Sequence, residues 1–265
     1  MEATNITEYV GTKDMPIVES KNPICNKSLP TFSSDIKDDG AFDYQFNSKG
    51  LRSDEFSEGE LVSIGCSICF GVGVPQNDRT SARLAQKLEL RDINLAWPCK
   101  SLEYCHRMLN WAVPALKPKF VFVQSPETSR REHLCSIIGT YDHTAKKQYY
   151  PDFLTSETNE AYELYMKATN PSHRDLIYYN TAVAIENLLE RHHIEWAFLI
   201  PKKASQKVTD LLVARSRRYV RMRGSIDLGR DGMHPGSKSH EMWSEGLQLH
   251  INGKEIPEDY LPTKC

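Results

Sequence analysis

A hydroxyl, an imidazole and a carboxylate stand in this chain where they could share one reaction. Ser67 follows the apolar run Leu61-Val62-Ser63-Ile64-Gly65-Cys66 and is itself followed by Gly71 and Gly73. Asp231 and His234 lie in Asp231-Gly232-Met233-His234-Pro235, a loop bounded by glycine and proline. A serine oxygen is a weak nucleophile at its own pKa and needs a base, a role imidazole fills near neutral pH. A carboxylate behind the ring would hold its tautomer. Serine after a strand is also ordinary turn material, so the weight of the reading falls on the Asp–His pair.

The elements that must position these groups follow from periodicity. The run at 61–65 is short, apolar and β-branched, as a strand buried on both faces would be, and it ends in a glycine. Reactive groups in open α/β sheets gather at such strand ends. Asn77 or Asp78 can cap a helix to about Leu88, and Ile93–Ala96 forms a second strand candidate. Leu102, Cys105, Met108, Leu109 and Ala112 recur at helical spacing, with Pro114 as the stop. Phe120–Val123 is the third strand. Residues 124–170 break the rhythm and are expected to form an insertion or long active-site loop with a helix in it. Asn170-Pro171 opens a helix to about His192, Trp196–Ile200 is a fourth strand, and a basic helical segment leads to a short strand at Tyr219-Val220. A last helix carries His240, Trp243 and Leu247 on one face. Strands alternating with helices predict an α/β fold, a three-layer α/β/α sandwich around a parallel sheet of four or five strands. An arm over 1–58, with a short strand or hairpin near 44–52, is expected before a domain over 59–250 and a tail over 251–265.

Composition narrows the function classes. The chain has 265 residues, 40% apolar and 26% charged, which suits one globular domain. No apolar run reaches the ~18–20 residues of a membrane span, and Met1-Glu2-Ala3-Thr4 does not open a signal peptide, so a cytoplasmic location is the expectation. Seven cysteines without regular spacing read as thiols rather than a disulfide framework. Cys66 and Cys69 with Cys99, Cys105 and His106 can be drawn as a zinc site, but no second Cys-x-x-Cys completes it. A net charge of −2 argues against a general nucleic-acid binder. Lys202, Lys203, Lys207, Arg215, Arg217, Arg218, Arg221 and Arg223 nevertheless cluster, either as a solvated face or as an attractor of anions.

Gly65-Cys66-Ser67 and Asp231-x-x-His234-Pro235, in this order at opposite ends of the domain, resemble the first and last blocks of the SGNH (GDSL-like) hydrolase superfamily. Cys66 replaces the usual aspartate of the first block. The resemblance, over roughly residues 60–250, implies a flavodoxin-like sandwich and a Ser67–His234–Asp231 triad acting on carboxylic esters, acyl or acetyl, on a small molecule or a carbohydrate. It implies no metal or organic cofactor. The family's oxyanion donors are the nucleophile's N–H, a glycine N–H after the second strand and an asparagine after the third. Here these map to Ser67, to Cys99 and to Gln124 or Ser125. Some relatives carry an Asn-x-x-Gly-x-Arg lead-in like Asn47–Arg52, which makes Arg52 a substrate-side candidate against the competing reading of a surface turn. Arg130 and Arg131 of the long loop join it. The alternative is a silent SGNH-like module that binds an anionic glycan, lipid or nucleic acid. The sequence sets no oligomeric state.

Overall fold

The computed structural model describes residues 44–98, 100–128, 130–135, 139–142, 170–221 and 224–257. Its strands are β1 (Leu61–Gly65), β2 (Asp92–Asn94), β3 (Phe120–Gln124), β4 (Glu132–Cys135), β5 (Gly139–Asp142), β6 (Glu195–Ile200) and β7 (Tyr219–Arg221). Five of them form one parallel sheet in the order β2-β1-β3-β6-β7. β4 and β5 pair with each other, antiparallel. This hairpin lies within the expected insertion, and residues 136–138 and 143–169 of that stretch lie outside the described residues.

Side chains alternate across the sheet because successive residues of a strand point to opposite faces. Val62, Ile64, Val121, Val123, Trp196 and Phe198 meet α3 (Leu102–Leu116), α4 (Pro171–Arg191) and α5 (Gln206–Arg215) on one face. Leu61, Phe120, Phe122, Ala197 and Leu199 meet α2 (Thr80–Lys87) and α6 (Ser237–Ile251) on the other. The three layers are thus written into runs that are apolar on both faces save for Ser63 in β1. A single buried Leu or Phe contributes about 1.5–3 kcal/mol, so strands covered on both sides anchor the fold.

Three helices start on side-chain caps, of which Asn170 is the one expected from the sequence. Ser101 accepts from Tyr104 N, Asn170 from His173 N at 2.8 Å with Pro171 behind it, and Ser205 from Val208 N. α2 is different: Asn77 and Asp78 lie in a short 3₁₀ turn, and Arg79 precedes the helix. The Asp78 carboxylate is spent on Arg83 and on Ser237 Oγ, both at 2.7 Å. α3 also runs past Pro114 to Leu116 and ends at Lys117, whose N–H donates to Val113 O.

No strand or hairpin ladder forms at 44–52. Asn47 Oδ1 accepts from the N–H groups of Lys49 and Leu51, both at 3.0 Å, and this Asx turn drives Leu51 and Arg52 into the body, where both are fully buried. Residues 44–58 therefore belong to the packed domain rather than to an arm. Residues 1–43 lie outside the described residues.

His240 ties α6 to α2. Thr80 N donates to His240 Nδ1 at 3.1 Å, with the Thr80 hydroxyl 2.9 Å away. Burial first, and the nearby Arg79 and Arg83, push its pKa down to about 3, against an opposing pull from Asp227. The unfolded chain therefore binds a proton here between pH ~6.5 and ~3 that the folded chain does not, so stability falls as pH drops through that window. Between pH 7 and pH 5 this one group should account for about 2 kcal/mol. Urea unfolding at the two pH values checks this, and the difference should largely vanish in His240→Asn, which keeps an acceptor for Thr80. An unchanged slope in that variant would show that the imidazole is not the cause.

Candidate active site

The chain after β1 turns at once. A Cβ on Gly65 would lie 2.3 Å from Gln124 O and 2.7 Å from Cys69 Cβ, so only glycine lets the end of β1 run so close to β3. One residue on, a four-residue helix, α1 (Ser67–Phe70), begins with Ser67 as its first residue. Gly71 ends it in the left-handed region at φ 81°, and the N–H groups of Gly71 and Val72 donate back to Ser67 O. β1 lies between β2 and β3, so the chain crosses to opposite sides after β1 and after β2. Ser67 stands at that switch point, beside the carboxyl end of β3.

The Asp231–His234 loop is a tight hairpin closed by Gly229 N to His234 O at 2.7 Å and Gly236 N to Asp227 O at 3.1 Å. His234 Nδ1 bonds Asp231 Oδ2. Asp231 Oδ1 accepts from the backbone N–H groups of His234 at 3.0 Å and Met233 at 3.2 Å. Burial alone would raise the Asp231 carboxyl, but the bonds from the His234 ring and from these N–H groups hold it below the usual carboxylate range. The hairpin docks on the loop after Ser67: Arg230 N donates to Gly73 O at 2.8 Å, and the Asp231 carboxylate rests against Gly73, whose φ is 82°.

Asp231 and His234 are therefore paired, and their loop is joined to the Ser67 loop. Ser67 itself is 7% exposed, and its hydroxyl makes a long contact to Cys66 Sγ at 4.0 Å rather than a hydrogen bond to His234. Catalytic hydrogen bonds are often open in a free enzyme and close on substrate.

The other sequence candidates separate. Gln124 is buried at the end of β3, paired in register with Gly65. Ser125 has its N–H on Leu199 O at 3.1 Å, and its hydroxyl shares a hydrogen bond with Tyr178 OH at 2.6 Å and lies 3.2 Å from Pro126 O. Cys99 lies outside the described residues. Arg52 is not a surface or substrate-side group. It is fully buried, and its guanidinium donates to Phe70 O at 3.0 Å, Gly71 O at 2.5 Å and Val74 O at 2.8 Å. Arg131 is also buried, bonded to the carbonyls of Arg130 and Arg174 and 3.6 Å from Glu103, so it braces the chain rather than facing a ligand. Arg130 is half-buried, with its N–H on Glu127 O. The basic segment is partly neutralised: Lys203 pairs with Glu127, Arg215 with Glu186, Arg218 with Glu195, and Arg221 bonds Gln206.

Beneath the Ser67 loop lies a polar network that the sequence reading did not assemble. Arg79 bonds Arg52 O at 2.7 Å and pairs with buried Asp92 at 3.2 Å, and Asp92 also accepts from Ser63 at 2.5 Å and Ser81 at 2.6 Å. Tyr44 lies 4.2 Å over the Arg52 guanidinium, and its hydroxyl accepts from Gly73 N at 2.9 Å. The available signal was Gly71-x-Gly73 itself, because glycines at positive φ mark a backbone against which other groups press closely.

No family model matches the chain, and no curated protein matches it in sequence. Among solved structures it is similar to a carbohydrate esterase family 2 enzyme from Corynascus thermopiles (Myceliophthora fergusii), at 15% identity over 76% of this chain and 68% of that one, TM-score 0.44. It is also similar to the esterase EstA from Pseudoalteromonas sp., at 12% identity over 73% and 97%, TM-score 0.44. A third is a G-D-S-L family lipolytic protein from Desulfitobacterium hafniense, at 12% identity over 72% and 98%, TM-score 0.44. Likeness at this level says nothing of individual residues or substrates. The α/β/α architecture is shown by the sheet and its helix layers directly. No helix among the described residues is long and apolar enough to cross a membrane.

Proposed function

We propose that this protein is a serine-dependent hydrolase of carboxylic esters in the SGNH (GDSL-like) superfamily. The observation that carries the reading is the Asp231–His234 pair, whose carboxylate is fixed by two backbone N–H groups and whose loop is hydrogen-bonded to the loop after Ser67. In this reading Ser67 Oγ attacks the ester carbonyl while His234 Nε2 takes its proton. The tetrahedral intermediate collapses, the C–O bond to the alcohol breaks, and the same proton passes to the departing oxygen. Water, deprotonated by His234, then cleaves the acyl-serine and releases the acid. The Ser67 N–H, which as the first of a helix has no intrahelical partner, and the Gln124 amide are the proposed oxyanion donors. Asp231 keeps the ring proton on Nδ1 throughout.

Labelling with a serine-directed fluorophosphonate followed by peptide mapping tests this. A single adduct on Ser67, absent in His234→Ala, is the expected result. An unlabelled wild type that also leaves short-chain aryl esters intact would overturn the reading in favour of a silent module on the same scaffold.

The docking at Gly73 makes a sharper demand. An alanine Cβ there would lie 2.7 Å from Asp231 Oδ1, on a backbone at φ 82°. Gly73→Ala should lower turnover about 10²-fold through a displaced carboxylate, with a stability loss of about 1–2 kcal/mol from the left-handed backbone. Turnover and thermal melting of the one variant read both terms, and full turnover would show that Asp231 tolerates the displacement.

A further inference from the structure

We propose that the outer face of the 226–235 hairpin is a docking surface for an anionic lipid–water interface. The hairpin has two unlike sides. Leu228 stands opposite Pro235 in an antiparallel bridge, flanked by the Asp227–Gly236 and Gly229–His234 hydrogen bonds. Alternation along so short a ladder turns Asp227 and His234 toward the protein and Ile226 and Leu228 away from it. The inner side is fully engaged: Asp227 accepts from the N–H groups of Lys238 at 3.0 Å and Ser239 at 2.8 Å, and Asp231 holds His234. The outer side is apolar and open, with Ile226 57%, Leu228 61% and Met233 63% exposed.

Three large apolar side chains this exposed within eight residues of one hairpin are a candidate interaction site, and two features choose the partner. The hairpin's carboxylates both point inward, while Lys238 and Lys202 are exposed beside it, Lys202 lying against Gly224 at the start of the loop. Apolar side chains rimmed by ammonium groups suit acyl chains beneath anionic headgroups. The cluster is also a projecting tip of three side chains, far short of the ~800 Å² that a stable protein partner would cover on this side, whereas a fluid interface needs no matching cavity. This goes beyond ester hydrolysis and does not require it.

The test is sedimentation of the full chain, as wild type and as Ser67→Ala, with phosphatidylcholine vesicles with and without phosphatidylserine. Both proteins should pellet with the phosphatidylserine vesicles. Leu228→Ser with Met233→Ser should lower the partition coefficient by at least about tenfold, and Lys238→Glu should lower it on anionic vesicles alone. Unchanged thermal melts would show that the variants are folded. Failure to pellet, or pelleting indifferent to these substitutions, overturns the proposal. So does a concentration-dependent dimer, abolished by the same serine substitutions and formed without vesicle binding, which would assign the face to a second copy of the chain. Because Ser67→Ala must still bind, a failed fluorophosphonate result and a failed vesicle result remain distinct.

Discussion

Asp231→Asn is expected to lower ester turnover about 10⁴-fold while the protein stays folded. The size of the effect follows from which way an asparagine must sit. Asp231 Oδ1 accepts from Met233 N and His234 N, so the amide oxygen has to take that place. The NH₂ group then faces His234 Nδ1, where Oδ2 now stands. A donor at that point requires a lone pair on Nδ1, and the ring proton moves to Nε2, the atom that must receive the proton of Ser67. Geometry is preserved and chemistry is lost. Steady-state turnover on a short-chain aryl ester, with thermal melting as the folding control, reads the outcome. A folded variant retaining a tenth or more of wild-type turnover would remove Asp231 from the proposed mechanism.

The second large effect is on stability. Arg52→Met should cost about 3–5 kcal/mol, because it leaves the carbonyls of Phe70, Gly71 and Val74 buried without their donor. Each such loss costs about 1–3 kcal/mol, offset in part by no longer burying a charge. Burial first, and the neighbouring Arg79, already weaken the hold of Arg52 on its proton. Arg52→Lys should fall between wild type and Arg52→Met, since one ammonium cannot span three carbonyls as a planar guanidinium does. Urea unfolding of the three proteins gives the order. A loss below about 1 kcal/mol in Arg52→Met would mean that the loop's carbonyls find other donors.

What could be read from the sequence was whatever depends on near neighbours. The strands at 61–65, 120–124 and 195–200 are largely apolar, interrupted only by Ser63 and by Gln124 and Glu195 at strand ends, and the starts of α3, α4 and α5 carry Ser101, Asn170-Pro171 and Ser205 where the caps lie. The pairing of Asp231 with His234 was equally local, three positions apart in one turn. Contacts between distant segments were not legible. Nothing near Arg52 in sequence announces that its guanidinium will meet carbonyls of residues 70–74, so the sequence leaves it between a substrate-side group and a surface turn. Asp78 looks like a cap in the sequence, but its carboxylate is taken by Arg83, five residues on in α2, and by Ser237, which becomes a neighbour only after α6 packs on α2. The partners of Ser125 and Arg131 are equally distant in sequence: Tyr178 and the Arg174 carbonyl come from α4.

The bond from Arg230 N to Gly73 O joins the last loop of the domain to its first. On the ribosome β1 and the turn bearing Ser67 emerge well before the hairpin that holds Asp231 and His234. A nascent chain, or one clipped ahead of residue 227, therefore displays Ser67 with no imidazole beside it, and the activity proposed above would arise only once that late hairpin has docked. Its acquisition during refolding would accordingly time the docking of that hairpin, not the formation of the central strands.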